Sequence, residues 1–176
     1  MDYAVVLYMN EEKVAMVKEW IKELAPVCGS DYCLFTEPHI TISAIIADDE
    51  ELVKKEVAKL SKVLKKGEIK VGVIGVFNPS VLFLSPVVDS YLIESCQVAN
   101  DCMLKVSEIG NKGRYIPGNW VPHIAVAMKM GKEGLYRGFE RLSETFIPFC
   151  AEIRKMALIK STKDNPYQEL AVYGLN

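Results

Sequence analysis

PHITIS, residues 38–43, and PHIAVA, residues 122–127, are two versions of one hexamer, and between them they hold both histidines of a 176-residue chain. Pro38 and Pro122 suit the first position of a strand, where no ladder donor is required. Side chains alternate faces along a strand. That alternation predicts His39, Thr41 and Ser43 on one face of the first strand, with Ile40 and Ile42 on the other. In the second, His123, Ala125 and Ala127 share a face against Ile124 and Val126. The isoleucine faces are expected to pack on helices, leaving both histidines at a cavity.

Outward from each hexamer the same elements recur. Tyr3 to Met9 reads as a strand. Asn10 then caps a helix with Val14, Val17, Ile21 and Leu24 at helical spacing, ending before Pro26. After the strand from His39 to Ile46, Leu52, Val57, Leu60 and Leu64 mark a helix closed by Gly67. A strand over 69–77, a turn at 78–80 and a strand over 81–88 follow. The next helix carries Leu92, Cys96, Ala99, Met103 and Val106. The loop GNKGRYIPGN (110–119) leads to the strand at His123, a helix with Leu135, Phe139, Leu142 and Phe146, and strands at 150–161 and 168–174. Each half therefore runs strand, helix, histidine strand, helix, strand. The expected architecture is α+β: one domain over residues 1–176, bilobal and pseudo-two-fold, with lobe-forming halves near 1–79 and 80–176 and a central cleft between them.

Bulk properties remove several function classes. A formal net charge of −2 lacks the basic footprint of a protein that binds long duplex nucleic acid. The N-terminal MDYAVVLYMNEEK has no basic flank, so no signal peptide is expected, and the apolar runs are strand-sized. Five cysteines without a CxxC pair read as reduced thiols, three of them (Cys96, Cys102, Cys150) at apolar positions. A cytoplasmic monomer is the expectation, with no membrane contact. Two histidines are too few for a metal cluster, and Gly72 and Gly75 are not followed by a phosphate-loop lysine, so neither metal nor cofactor is expected. The lysine pairs at 54–55 and 65–66 lie beside glutamates and form a solvated helix face.

Two imidazoles across a cleft suit acid–base chemistry. Imidazole titrates near neutrality, so one ring accepts a proton while the other donates one. Cleavage of a phosphodiester uses such a pair, and nearby hydroxyls donate hydrogen bonds to the non-bridging oxygens. Trp120 reads as a packing anchor and Phe77 as a core residue. Tyr115 lies in the loop beside the second hexamer and is a candidate for substrate contact.

His39-Ile40-Thr41-Ile42 and His123-Ile124-Ala125-Val126, with the approach Pro117-Gly118-Asn119-Trp120-Val121-Pro122, resemble the paired His-x-Thr/Ser-x motifs of the 2H phosphoesterase superfamily, the 2′-5′ RNA ligase-like or cyclic phosphodiesterase family. The element order matches along essentially the whole chain. The resemblance implies catalytic roles for His39 and His123 and a substrate-binding role for Thr41. It also implies action on 2′,3′-cyclic phosphates or 2′-5′ linkages of nucleotides or RNA ends, with ligation as the reverse reaction.

Ala125 departs from the pattern, because it stands where the family has threonine or serine and cannot donate to a phosphate. Ser43, Tyr115, Lys160 and Thr162 are candidate replacement donors. The alternative function is therefore a nucleotide or RNA-end binding module with reduced or lost catalysis.

Overall fold

The computed structural model describes every residue except Asn78, Lys163, Asp164 and Pro166. Its elements run β1 (Asp2–Met9), α1 (Glu11–Cys28), β2 (Ile40–Ile46), α2 (Glu50–Leu60), β3 (Gly67–Phe77) and β4 (Val81–Pro86). They continue with α3 (Ser90–Met103), β5 (Glu108–Ile109), β6 (Ile124–Met128), α4 (Lys132–Thr145), β7 (Phe149–Ser161) and β8 (Gln168–Gly174). The expected turn at 78–80 falls partly outside the described residues; Ser80 N–H donates to the Phe77 carbonyl at 3.1 Å.

The architecture is α+β, with an antiparallel sheet in the order β5-β2-β1-β7-β3-β4-β6 and β8 beside β7. The two halves exchange their closing strands. β3 pairs with β4, and the long β7 joins β3 through its first residues and β1 through the rest. The boundary near residue 79 thus separates the repeats along the chain but not in space: each three-strand group, β2-β1-β7 and β3-β4-β6, draws on both halves.

Helix α1 buries Val14, Val17, Ile21, Leu24 and Cys28 at spacings of three and four, which keeps them on one face. It runs through Pro26 rather than stopping before it. A proline in the last turn forfeits a single hydrogen bond, and burial of Cys28 together with a left-handed cap at Gly29 (φ 66°) holds that turn closed. Arg137 Nε also donates to the Val27 carbonyl at 3.2 Å. In α2 the Asp49 carboxylate caps Leu52 N–H, and the buried face is Val53, Val57 and Leu60. Leu52 is exposed, Leu64 lies beyond the helix, and Val106 lies beyond α3.

In α4 the buried positions are Gly134, Leu135, Gly138 and Leu142, while Phe139 faces solvent. The glycines explain this choice of face, because α4 lies directly on the C-terminal turn of α1. A Cβ at Gly134 would sit 2.2 Å from the Cys28 carbonyl oxygen, and one at Gly138 would sit 2.4 Å from Cys28 Sγ. Overpacking of this kind costs about 1–3 kcal/mol or more, against a helix-propensity gain for Gly→Ala of at most about 1 kcal/mol. Gly134→Ala is therefore expected to lower the unfolding free energy in urea by about 2 kcal/mol; an unchanged midpoint would contradict this packing.

Cys28, Cys33 and Cys96 are buried, Cys102 is half-buried and Cys150 is exposed, so Cys150 does not occupy the core position expected from its apolar neighbours. Burial pushes the Cys33 thiol up to about 12 and Cys28 upward, which makes both unreactive packing residues. Among the described residues no helix is long and apolar enough to cross a membrane.

Candidate active site

A cavity of about 370 Å³ opens between β1, β2 and β7 on one side and β6 on the other. His39, Thr41, Tyr115, His123 and Ala125 all line it.

Each histidine is held the same way. His39 Nδ1 lies 2.6 Å from the Glu37 carbonyl, and His123 Nδ1 lies 2.7 Å from the Val121 carbonyl. A carbonyl only accepts, so Nδ1 carries the proton and Nε2 is left unprotonated in the neutral ring. The same backbone contact, two residues back, therefore fixes the same tautomer in both copies.

Burial, with a smaller contribution from the charge of His123, lowers the His39 pKa to about 4, against the opposing hydrogen bond to Glu37. Burial also lowers the His123 pKa, against its bond to Val121. Both rings are thus neutral at pH 7 in the free site. The sign for stability follows from this. As pH falls below the ordinary histidine value of 6.5, the unfolded chain takes up protons that folded His39 refuses until about pH 4. Stability conferred by neutral His39 is complete above pH 6.5 and is lost between there and pH 4. Urea midpoints measured across this window are expected to fall less steeply in His39→Gln than in the wild type; identical slopes would contradict the shift.

Strand alternation does not hold across either hexamer. β2 pairs Ser43 with Val5 and Thr41 with Val6, which leaves Ile42 without a partner. β6 pairs Ala127 with Leu82 and Ala125 with Phe83, which leaves Val126 without one. Both are β-bulges, each three residues after its histidine, and a bulge reverses the faces beyond it. The cavity wall therefore continues from Thr41 to Ala44 and from Ala125 to Met128. Ser43 and Ala127 are buried instead. Ser43 consequently cannot serve as a replacement donor at the cavity: its hydroxyl donates to Asn100 Oδ1 at 3.2 Å. Lys160 pairs with Glu50 at 2.6 Å, and the Thr162 hydroxyl donates to the Asn165 carbonyl. Of the four candidate donors, Tyr115 lines the cavity, its ring centroid 6.0 Å from that of His123.

The surroundings of the two histidines differ. His123 meets Phe77 edge-on at 4.9 Å and Phe83 at 5.4 Å, so Phe77 backs the second histidine rather than serving the core. Phe83 lies across its strand partner Gly75, where a Cβ would come within 2.4 Å of the ring. A glycine inside a strand signals such close approach, and this was the available sequence clue. His39 instead meets Tyr167, centroid to centroid 5.6 Å. The Tyr167 hydroxyl lies 2.6 Å from that of Tyr8, which donates to Glu169 at 2.8 Å. Tyr32, Thr36, Asn111 and Tyr167 also line the cavity. They come from segments without periodicity, and nothing in the sequence pattern singles them out.

This fold agrees with the comparisons. A family profile described as the 2′-5′ RNA ligase superfamily matches residues 14–165, and the chain belongs to that family. Among solved structures it resembles TT0787 of Thermus thermophilus (TM-score 0.64, 18% identity, 99% of this chain and 98% of that one). It also resembles E. coli LigT complexed with 3′-AMP (TM-score 0.60, 13% identity, 99% and 97%). A more distant likeness is Kluyveromyces marxianus Usb1 (TM-score 0.51, 10% identity, 99% and 96%). These identities speak for a shared 2H phosphoesterase fold. Comparison with curated protein sequences returns no match.

Proposed function

We propose that this protein is a phosphodiesterase that hydrolyses 2′,3′-cyclic phosphates or 2′-5′ linkages of nucleotides and RNA ends through His39 and His123, acting as a single-domain cytoplasmic monomer. The observation that carries this reading is the matched tautomer: two unprotonated Nε2 atoms in one cavity, each fixed from behind by a carbonyl. The nucleotide complexes of E. coli LigT, with 3′-AMP, ATP and NADP+, support a nucleotide as the ligand class.

On a 2′,3′-cyclic phosphate, one imidazole Nε2 takes a proton from water as the water oxygen bonds to phosphorus. The bond from phosphorus to the 3′ oxygen breaks, and the second imidazole, protonated in the complex, gives its Nε2 proton to that oxygen. The products are a 2′-phosphate and a free 3′ hydroxyl. An anionic phosphate between the rings raises the pKa of both, which supplies the acid form. The deeper depression at His39 favours it as the base. Thr41 and Tyr115 donate to the non-bridging oxygens, and the scheme requires no metal. Hydrolysis in ¹⁸O water is expected to place one label in a 2′-phosphate product; a 3′-phosphate, or product without label, would contradict this route.

Ala125 motivates a second reading, a binding module for phosphorylated RNA ends. The second copy of the motif brings no hydroxyl to the cavity at that position.

A further inference from the structure

The bulge in β2 exposes a difficulty that the second half of the chain resolves. β5 covers β2 only at Ile45 and Ile46, so Thr41 and Ile42 lie at an open sheet edge inside the protein. Buried carbonyls need partners. The Thr41 carbonyl accepts from Trp120 Nε1 at 2.9 Å. The Ile42 carbonyl accepts from Asn100 Nδ2 at 3.0 Å. Asn100 is 2% exposed, and its amide nitrogen also reaches the Tyr115 carbonyl at 2.9 Å, while its oxygen accepts from Ser43.

These contacts join particular places. Trp120 stands three residues before His123, in the loop that carries Tyr115. Thr41 stands two residues after His39. One loop thus holds Tyr115 and His123, and two side-chain donors tie it to the bulge of the strand that His39 opens. A reciprocal tie runs the other way, from the Ser30 hydroxyl in the first half to the Met128 carbonyl at the end of β6.

We propose that Trp120 and Asn100 are positioning residues that set the separation of the two histidines by clamping the second-motif loop onto the bulge carbonyls of β2. This rests on the two-histidine reading of the cavity. Neither residue lines the cavity, so each acts through the histidines. Proton transfer at both ends of one phosphodiester demands a fixed spacing, and a displacement of about 1 Å costs on the order of a hundredfold.

The test uses Trp120→Phe, which keeps an aromatic ring and removes the Nε1–H donor together with part of the indole's packing on the core. For cyclic phosphate hydrolysis, kcat is expected to fall about tenfold or more while KM changes less than about twofold. Because the chain has two histidines, their Cε1 proton signals can be followed directly. Inorganic phosphate is expected to shift both signals with one midpoint in the wild type. In Trp120→Phe the midpoints are expected to separate. Phe146→Leu loosens the remote contact with Trp20, whose centroid lies 5.6 Å away, and serves as a control for general destabilisation. Wild-type kcat and a common midpoint in Trp120→Phe would overturn the clamp, as would an equal fall in kcat in Phe146→Leu. If the wild type turns over no cyclic phosphate, the enzymatic reading fails, and the phosphate titration decides the clamp alone.

Discussion

Replacing His39 or His123 with alanine is expected to lower turnover of a nucleoside 2′,3′-cyclic phosphate by about a hundredfold to ten-thousandfold, the usual worth of a positioned acid or base. The fall should appear mainly in kcat. Thr41 and Tyr115 remain in the cavity of either variant to hold the phosphate, so KM should move far less. The double variant is expected to cost little more than the worse single one, because base and acid serve one displacement and their losses are not additive. Steady-state kinetics on the three variants checks this. Residual activity above about a tenth of wild type in both single variants would remove the histidines from the chemistry.

The second large effect is a gain. Ala125 lines the cavity across from Thr41's strand, and Phe83 is its partner on β4. Ala125 is half-buried and lines the cavity, so a threonine here is expected to bring its hydroxyl to the cavity. A hydrogen bond to a charged group contributes about 1.5–3 kcal/mol, which corresponds to roughly a ten- to hundredfold rate increase if it is made in the transition state. Ala125→Thr is therefore expected to raise kcat/KM by that order. On the proposed reading Tyr115, beside His123, is the donor on that side, so Tyr115→Phe should cost more in the wild type than in Ala125→Thr. A double-mutant cycle reads this coupling directly. A loss of activity in Ala125→Thr would mean that the alanine makes room for a substrate group.

What the sequence made legible was local. The proline, the histidine and the apolar alternation of PHITIS and PHIAVA were enough to place two strands and to bring four candidate residues, His39, Thr41, His123 and Ala125, to one cavity. The bulges were not legible. Nothing in Ile42 or Val126 marks them, because a bulge records how a strand registers against its neighbour, here β1 and β4. That single long-range fact moved Ser43 from the cavity into the core and made Trp120 a hydrogen-bond donor as well as a packing anchor.

The exchange of β3 and β7 was hidden for a related reason. Element order along the chain specifies which strands exist, whereas pairing is chosen by contacts far apart in sequence. Pro26 shows the opposite failure. A strong local rule lost to tertiary packing, because Cys28 is buried under α4. Tyr167 reached His39 from a segment whose turn residues carry no periodic signal at all.

The most direct test of the two-histidine mechanism is hydrolysis of the four nucleoside 2′,3′-cyclic monophosphates in the presence of EDTA, with the His39→Ala, His123→Ala double variant as the blank. Turnover to 2′-phosphates by the wild type, unaffected by chelator and absent from the blank, is the expected result. Tight binding of a 2′-phosphorylated nucleotide without turnover of any of the four would contradict it and make the protein a binding module.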